Sequence, residues 1–185
     1  MERLKVSGAL LKGHFRLPTG EHTDHYVECA RVLQYPWHAT VLCQELADRY
    51  RDSQPDLVVG PALGGIIIAF EVGRILELPT IFTERKQGTM KLSRGFSIRP
   101  GQRVLIAEDE IITGRSIKEV TQIIKDRHGE VVGVAALIDR SNGLTKEFGY
   151  RVETLVTLEE RKYSPEECPL CKEKIPVSRV GGRSL

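Results

Sequence analysis

The chain has 185 residues and a formal net charge of +2, with 41% hydrophobic and 28% charged residues. These values are typical of one globular domain with at most a small appendage, and they exclude the marked basic excess common in nucleic-acid-binding proteins. No apolar run is long enough to cross a bilayer, and Met1–Lys5 does not resemble the start of a signal peptide. We therefore expect a cytoplasmic protein.

The first fifty residues predict a short helix, a hairpin and a longer helix. Residues 2–12 place leucines among charges, as a short amphipathic helix does. Residues 15–20 and 25–29 flank a polar turn and predict a hairpin. Residues 37–51 repeat apolar side chains at helical spacing directly after Pro36, a residue that the first turn of a helix tolerates.

From residue 55 onward, short apolar strands alternate with helices. The strands are predicted at 56–60, 80–83, 103–107, 131–138 and 152–158, and the helices at 64–76 and 116–128. Strands that are apolar throughout indicate an α/β fold with a mostly parallel twisted sheet and helices on both faces. The apolar run Gly65–Phe70 predicts a helix buried on that sheet. Right-handed crossovers place all the carboxyl ends of the strands on one edge, where ligands bind.

Two segments do not follow this alternation. Residues 85–99 form a long, polar, basic stretch of the kind that often serves as a lid, although a solvated hairpin is the plainer alternative. Residues 163–185 lose periodicity and predict a loosely held tail that contains a Cys-x-x-Cys pair. We therefore expect one domain at 1–162, with N-terminal elements at 1–54 and the core sheet at 55–158.

An acidic segment ends the third predicted strand. Val104–Ala107 runs directly into Glu108, Asp109 and Glu110, and a Thr-Gly-Arg-Ser turn then opens a helix. Three adjacent carboxylates repel one another unless a metal, cations or hydroxyl donors offset their charge. Backbone N–H groups at the helix start suit a phosphate. A solvated acidic turn capped by Ser116 is the alternative, but the position on the ligand edge of a parallel sheet favours a binding site.

Residues 104–116 resemble the phosphoribosyl-diphosphate signature of type I phosphoribosyltransferases: four apolar residues, two acids and a phosphate loop. The resemblance implies that Glu108 and Asp109 contact the ribose hydroxyls and that residues 113–116 hold the 5-phosphate of the donor. It also implies the type I phosphoribosyltransferase fold, with a small N-terminal hairpin over the core and a flexible flap.

The resemblance extends over nearly the whole chain to the short bacterial and archaeal orotate phosphoribosyltransferases. Residues 8–26 resemble the hairpin on the base side, and residues 60–65 resemble the pyrophosphate loop. Glu84-Arg85-Lys86 stands at the position of the basic catalytic flap. Residues 136–140 resemble a strand end whose arginine, here Arg140, binds the orotate carboxylate. Residues 168–172 resemble the tail of the short form.

The family resemblance implies Mg²⁺-dependent transfer of ribose 5-phosphate from 5-phosphoribosyl-1-diphosphate to orotate, in a homodimer that shares the 85–99 flap between subunits. The expected catalytic residues are Asp109, Glu108 and Lys86. The expected donor-binding residues are Arg85, Lys86, Glu108, Asp109, Glu110, Ile111, Ile112, Thr113, Gly114, Arg115, Ser116, Ala62, Leu63 and Gly64. The expected orotate-binding residues are Arg140, Ile112 and Tyr26. Mg²⁺ is expected to bind mainly through the substrate, so no protein ligand is assigned to it.

Three positions depart from the family pattern. Ile112 stands where threonine is usual, Pro18 where a lysine or arginine is usual, and Glu110 where an apolar residue is usual. Two alternatives therefore stay open. One is a phosphoribosyltransferase that acts on another base, and the other is a regulator that binds the donor without turnover.

The cysteines and histidines allow a further, competing interpretation. Cys168-x-x-Cys171 supplies half of the ligands of a structural zinc site, and the sequence has no second such pair. Free thiols are the favoured interpretation, with pairing across a dimer or completion by histidines as alternatives. His14, His22 and His25 are interpreted as surface or substrate-side donors. Cys29 and Cys43 are also expected to be free thiols rather than part of a disulfide framework.

Overall fold

The computed structural model describes residues 1–17, 19–159 and 161–179, and it divides the chain into two compact units. One unit combines residues 1–34 with residues 159–185, and the other comprises residues 35–158. Within the described residues, no helix combines the length and the apolar character that a membrane crossing requires.

The smaller unit is built around a three-stranded sheet with the order β2-β1-β9. Its elements are α1 (Glu2–Val6), β1 (Leu10–Arg16), β2 (His22–Val27), α2 (Ala30–Leu33), α6 (Pro169–Lys172) and β9 (Ser178–Arg179). β1 and β2 form the antiparallel hairpin that the sequence predicts, and β9 pairs with β1 in parallel. Tyr163 forms a further antiparallel bridge with His22. Residues from both ends of the sequence thus share one sheet.

The larger unit is a six-stranded sheet with helices packed on it. Its helices are α3 (Pro36–Asp48), α4 (Gly64–Leu76) and α5 (Arg115–Lys125), and its strands are β3 (Leu57–Pro61), β4 (Thr80–Lys86), β5 (Thr89–Leu92), β6 (Arg103–Ile111), β7 (Glu130–Asp139) and β8 (Val152–Thr157). The strand order is β5-β4-β3-β6-β7-β8, and only the edge strand β5 runs antiparallel to its neighbour. The predicted α/β fold with a mostly parallel sheet is confirmed.

The chain order of the strands creates a crevice at the centre of this sheet. From β3 the chain crosses to β4 on one side, and it later returns through β6 on the other side of β3. The connections that follow β3 and β6 therefore diverge at the carboxyl edge, which is where open α/β sheets bind ligands. β3 is buried along its whole length, and β6 is buried from Val104 to Glu108, so the hydrophobic effect fixes the position of both strand ends.

Three elements of the larger unit differ from the sequence prediction. β6 continues through the three acids to Ile111, because Glu110 and Ile111 pair with Ile138 and Asp139 of β7. The polar stretch 85–99 contains the end of β4, the turn and β5, which form a hairpin, and its apolar residues Met90 and Ile98 are buried in the core. The helix α4 was expected to be buried, but Phe70 is 65% exposed.

The division into units also differs from the expected domain boundaries. α3 was grouped with the N-terminal elements, but it belongs to the unit of residues 35–158 and packs against α4. The tail from residue 163 was expected to be loosely held. Its described part instead pairs with β1 and β2, and Cys168 is completely buried. Long-range pairing of this kind leaves no periodic signal in the tail itself.

Candidate active site

A cavity of about 180 Å³ lies at the carboxyl end of β6, along the connection to α5. It is lined by Glu108, Glu110, Ile111, Ile112, Thr113, Gly114, Arg115, Ser116 and Ile117. The structure thus brings together the acidic strand end and the turn that the sequence predicts as a donor site. Only Ile117, a core residue at the start of α5, was not predicted to line it.

Two glycines at the start of α4 allow the acids to approach the loop that follows β3. A Cβ atom on Gly64 would overlap the carboxyl group of Asp109. A Cβ atom on Gly65 would lie 2.9 Å from Oε1 of Glu108 and 2.9 Å from the carbonyl oxygen of Ala107. Both distances are shorter than ordinary van der Waals contact. The pair of small residues is therefore what places the acid pair against the predicted pyrophosphate loop.

Residues Ala62 and Leu63 of that loop connect β3 to α4. The backbone N–H of Ala62 donates to the carbonyl oxygen of Thr83 at 2.8 Å, which ties the loop to β4. The side chain of Leu63 is 83% exposed, and the peptide bond between the two residues is cis. The loop therefore presents backbone, rather than a polar side chain, beside Asp109.

Glu108 is the most buried of the three acids. Burial, followed by the nearby charge of Asp109, raises the pKa of Glu108 well above its ordinary value of 4.5. The backbone N–H of Asp109 donates to Oε1 of Glu108 at 3.2 Å, and that of Glu110 donates to Oδ1 of Asp109 at 2.9 Å. These bonds orient the carboxyl groups at the strand end. A protonated Glu108 can both donate a hydrogen bond to a ligand hydroxyl and accept one from it.

The turn before α5 is shaped to present its backbone N–H groups. Gly114 has a φ of +64°, and a Cβ atom there would also lie 2.6 Å from the ring of Phe148. Glycine is thus required both by the backbone conformation and by the neighbouring ring. α5 begins at Arg115, its N-cap residue Gly114 offers no side chain, and Oγ1 of Thr113 lies 3.4 Å from the backbone nitrogen of Arg115 as an acceptor. Its first N–H groups therefore suit a phosphate.

An acid that the sequence did not single out connects the flap hairpin to this turn. Glu119, on the first turns of α5, accepts hydrogen bonds from Arg85 at 2.5 and 3.1 Å and from Arg115 at 2.9 Å. The carbonyl oxygen of Gly88 also accepts from Arg85 at 2.8 Å. Glu119 was missed because a glutamate one turn into a helix is ordinary in sequence. Lys86 pairs with Glu84 at 3.2 Å and is half exposed.

Arg140, the predicted orotate-binding residue, lies directly after β7 and is 2% exposed. Its Nη1 donates to Oε1 of Glu110 at 2.5 Å, so one departure from the family pattern is explained by an internal ion pair. Ile112 is 39% exposed at the cavity. Tyr26 lies on β2 in the smaller unit, with its ring centroid 6.3 Å from that of Phe15. Pro18 lies outside the described residues.

Comparisons with known proteins identify the family to which the chain is similar. Residues 38–168 match the family described as the phosphoribosyl transferase domain. The orotate phosphoribosyltransferase of Caldicellulosiruptor bescii is 48% identical over 183 residues, which are 99% of this chain and 96% of that protein. The crystal structure of the Aeropyrum pernix orotate phosphoribosyltransferase has a TM-score of 0.74 at 25% identity, and the match covers 85% of this chain and 92% of that one.

A structure named for a different base has nearly the same fold. The adenine phosphoribosyltransferase of Rhodothermus marinus has a TM-score of 0.67 at 21% identity, and the match covers 85% of this chain and 99% of that one. The fold therefore does not identify the acceptor base.

The family match spans most of the chain, and the acidic end of β6 and the start of α5 line one cavity. The chain therefore belongs to the phosphoribosyltransferase family. Within that family, identity over nearly its full length groups it with the orotate phosphoribosyltransferases.

Proposed function

We infer that this protein transfers ribose 5-phosphate from 5-phosphoribosyl-1-diphosphate to orotate and releases pyrophosphate and orotidine 5'-phosphate. The acceptor assignment is supported by the 48% identity over 99% of the chain to an enzyme named for orotate. The donor assignment is carried by one structural observation. The buried Glu108 and the start of α5 after Gly114 line the same cavity at the carboxyl end of β6, and the neighbouring Asp109 packs against Gly64.

The proposed residues act by positioning and by charge. Glu108 and Asp109 hold the ribose hydroxyls, while Thr113, Ser116 and the backbone of the turn hold the 5-phosphate. The bond from the anomeric carbon to diphosphate then breaks as the bond from the base nitrogen forms. The ribosyl group carries positive charge in between, and fixed carboxylates nearby stabilise it without reorganisation.

Cations on the flap side complete the proposed mechanism. Arg85 and Lys86 would balance the charge of the departing diphosphate, with Lys86 as the catalytic cation of the flap. The cavity is lined by carboxyl, hydroxyl and backbone oxygen atoms rather than thiols or imidazoles, a donor set that fits Mg²⁺. A bound Mg²⁺ would supply positive charge to offset that of the departing diphosphate. Arg140, oriented by Glu110, would recognise the orotate carboxylate, with Ile112 and Tyr26 on the base side.

Turnover with a panel of bases tests this function. The purified chain, with donor and Mg²⁺, is offered orotate, uracil, adenine, guanine or hypoxanthine, and released pyrophosphate is measured. We expect turnover with orotate alone. Turnover with a purine base in place of orotate would contradict the acceptor assignment, and donor binding without turnover on any base would identify a regulator instead.

We also propose that two copies of the chain associate through α3 and α4. Large apolar side chains on these neighbouring helices are 41–65% exposed, namely Trp37, Val41, Ile67 and Phe70. Thr40 donates to Glu71 at 2.6 Å and holds the two helices side by side. Several exposed apolar side chains on two packed helices are typical of a protein interface.

Light scattering after gel filtration tests the interface. Phe70→Glu should convert the dimer to a monomer, because it places a charge in the apolar contact without touching the core. Val6→Glu is the matched control, since Val6 is 71% exposed on α1 in the other unit. A monomeric wild type, or a dimer that survives Phe70→Glu, would contradict this interface.

A cytoplasmic location is also proposed, and it agrees with four cysteines that form no disulfide.

A further inference from the structure

The smaller unit contains a cluster of four side chains with metal-binding atoms. His14 lies on β1, His22 begins β2, and Cys168 and Cys171 flank the first turn of α6. Their ligand atoms all lie within 4.8 Å of one another. Cys168, His14 and His22 are 0%, 3% and 6% exposed, so the cluster is a buried polar group in a small core.

The distances within the cluster approach those of a tetrahedral metal site. His14 Nε2 lies 3.6 Å from Cys168 Sγ and 3.7 Å from Cys171 Sγ, and His22 Nδ1 lies 3.3 Å from Cys171 Sγ. Bond lengths of ~2.0–2.1 Å to nitrogen and ~2.3 Å to sulfur place neighbouring ligand atoms about 3.3–3.8 Å apart. The two histidine nitrogens are closer, at 2.8 Å, and need to separate by only about half an ångström.

A hydrogen bond on the far side of one imidazole orients it toward the cluster. His14 Nδ1 lies 2.7 Å from the carbonyl oxygen of Ile175. A carbonyl oxygen only accepts hydrogen bonds, so Nδ1 carries the proton and the lone pair of Nε2 points at the two sulfur atoms. Histidine ligands of metal ions are held in this way by a backbone carbonyl on their other nitrogen.

The ligand set selects the kind of metal. Two thiolates and two imidazoles suit Zn²⁺, whereas Mg²⁺ and Ca²⁺ prefer oxygen. Two thiolate charges also balance the charge of Zn²⁺, which makes the occupied site neutral and compatible with burial. A bare dithiol pair would explain the cysteines, but it leaves the convergence of two imidazole nitrogens on them unexplained.

We propose that His14, His22, Cys168 and Cys171 form a structural zinc site that fastens the C-terminal segment to the N-terminal hairpin. All four positions are filled by the protein, so the site is closed to substrate and its function is to stabilise the fold. The smaller unit has few buried apolar residues, and small units of this kind commonly depend on a metal or a disulfide.

Metal analysis of the full-length, untagged protein tests the site. Protein purified without chelators should contain about one zinc per chain. Cys171→Ser and His22→Asn should each reduce the zinc content at least tenfold. Cys29→Ser, a change at a buried cysteine of the same unit but outside the cluster, should leave it unchanged. Zinc at wild-type stoichiometry in both cluster variants would overturn the proposal.

A spectroscopic measurement on the wild type covers the case in which a cluster variant fails to fold. Replacement of the metal by Co²⁺ should give the visible absorption of a tetrahedral site and a thiolate charge-transfer band. Chelation should lower the melting temperature even when Mg²⁺ is present in excess. Metal-free protein with a Cys168–Cys171 disulfide, seen by mass spectrometry, would instead identify a redox pair and overturn the zinc assignment. None of these measurements depends on turnover of orotate.

Discussion

At the scale of single residues, the acid pair Glu108 and Asp109 has two different environments. Asp109 packs against Gly64 and is partly exposed, while Glu108 is buried. Burial of Glu108 raises the pKa of its carboxyl group, and the two adjacent side chains differ in exposure. The difference follows from their facing opposite sides of the strand.

The role of Asp109 can be tested with an isosteric change. Asp109→Asn keeps the shape of the side chain but removes the charge that we propose contacts the donor hydroxyls. Loss of a charge-assisted hydrogen bond of about 1.5–3 kcal/mol predicts a decrease in kcat/KM of about 10- to 150-fold. The exposed Asp126→Asn is the control. Steady-state assays in which both variants keep wild-type kcat/KM would exclude this role.

The raised pKa of Glu108 predicts a pH dependence of stability. Between pH 4.5 and the raised pKa, the folded state keeps a proton that the unfolded state has released. The stabilising contribution of this group is therefore fully present below pH 4.5. That contribution is lost as pH rises through the raised pKa. Glu108→Gln should therefore increase the melting temperature relative to wild type at pH 8 and not near pH 4, while it lowers activity. The exposed Glu45→Gln is the control, and a melting-temperature difference that does not change with pH would contradict the prediction.

Glu110 shows where prediction from the sequence reaches its limit at this scale. Three consecutive acids predict the end of a strand, and β6 nevertheless continues to Ile111. The compensating charge is Arg140, thirty positions away in sequence and adjacent only after β7 has paired with β6. A buried charge is tolerated when a partner is in place, and that partner is determined by the fold rather than by the local sequence.

At the scale of elements, the turn between β6 and α5 depends on Gly114. Gly114→Ala adds the strain of a positive φ to a clash with Phe148, and we expect a loss of about 2–4 kcal/mol of unfolding free energy. Gly101→Ala is the matched control, because its φ is +73° and a Cβ atom there would meet nothing within 4 Å. Urea unfolding should give a loss of only about 1 kcal/mol for the control. Equal losses would show that the contact with Phe148 is unimportant.

The order of strands and helices in residues 35–158 could be predicted because burial leaves a periodic signal. Strands that are buried on both faces are apolar throughout, and α4 was predicted with the bounds that the structure shows. The hairpin in residues 85–99 was harder to predict, because its many charged residues give no periodic pattern that indicates burial of Met90 and Ile98. A short edge hairpin requires only a few such contacts.

At the scale of the whole molecule, mixing two inactive variants tests whether the flap is shared between subunits. Lys86→Ala and Asp109→Asn each damage every site of their own homodimer. If Lys86 acts in the partner's site, a mixed dimer contains one intact site. Equal mixing after unfolding and refolding should then restore about a quarter of wild-type activity, because half of the dimers are mixed and each has one working site. No recovery, with mixed dimers verified by mass, would show that Lys86 acts within its own subunit.

The complete cluster of His14, His22, Cys168 and Cys171 could not be predicted from the sequence, because its two halves are far apart along the chain. His14 and Cys168 are 154 positions apart, and neither carries a conventional metal motif on its own. The sequence suggested half a site and left completion by histidines as an alternative. The pairing of β9 and Tyr163 with the hairpin is what brings the two halves together.

The smaller unit combines two segments that are far apart in the sequence, and this determines when it can form during protein synthesis. Its hairpin is made first, but its remaining strand, its bridge and Cys168 follow only after residues 35–158 have been synthesised. Domains fold as units while translation proceeds, so the sheet with the donor site can complete its structure first. The smaller unit must wait for the last segment and then close a loop of more than a hundred residues. A chain that stops after residue 158 would thus retain the segments of the larger sheet but lack the second half of the smaller unit.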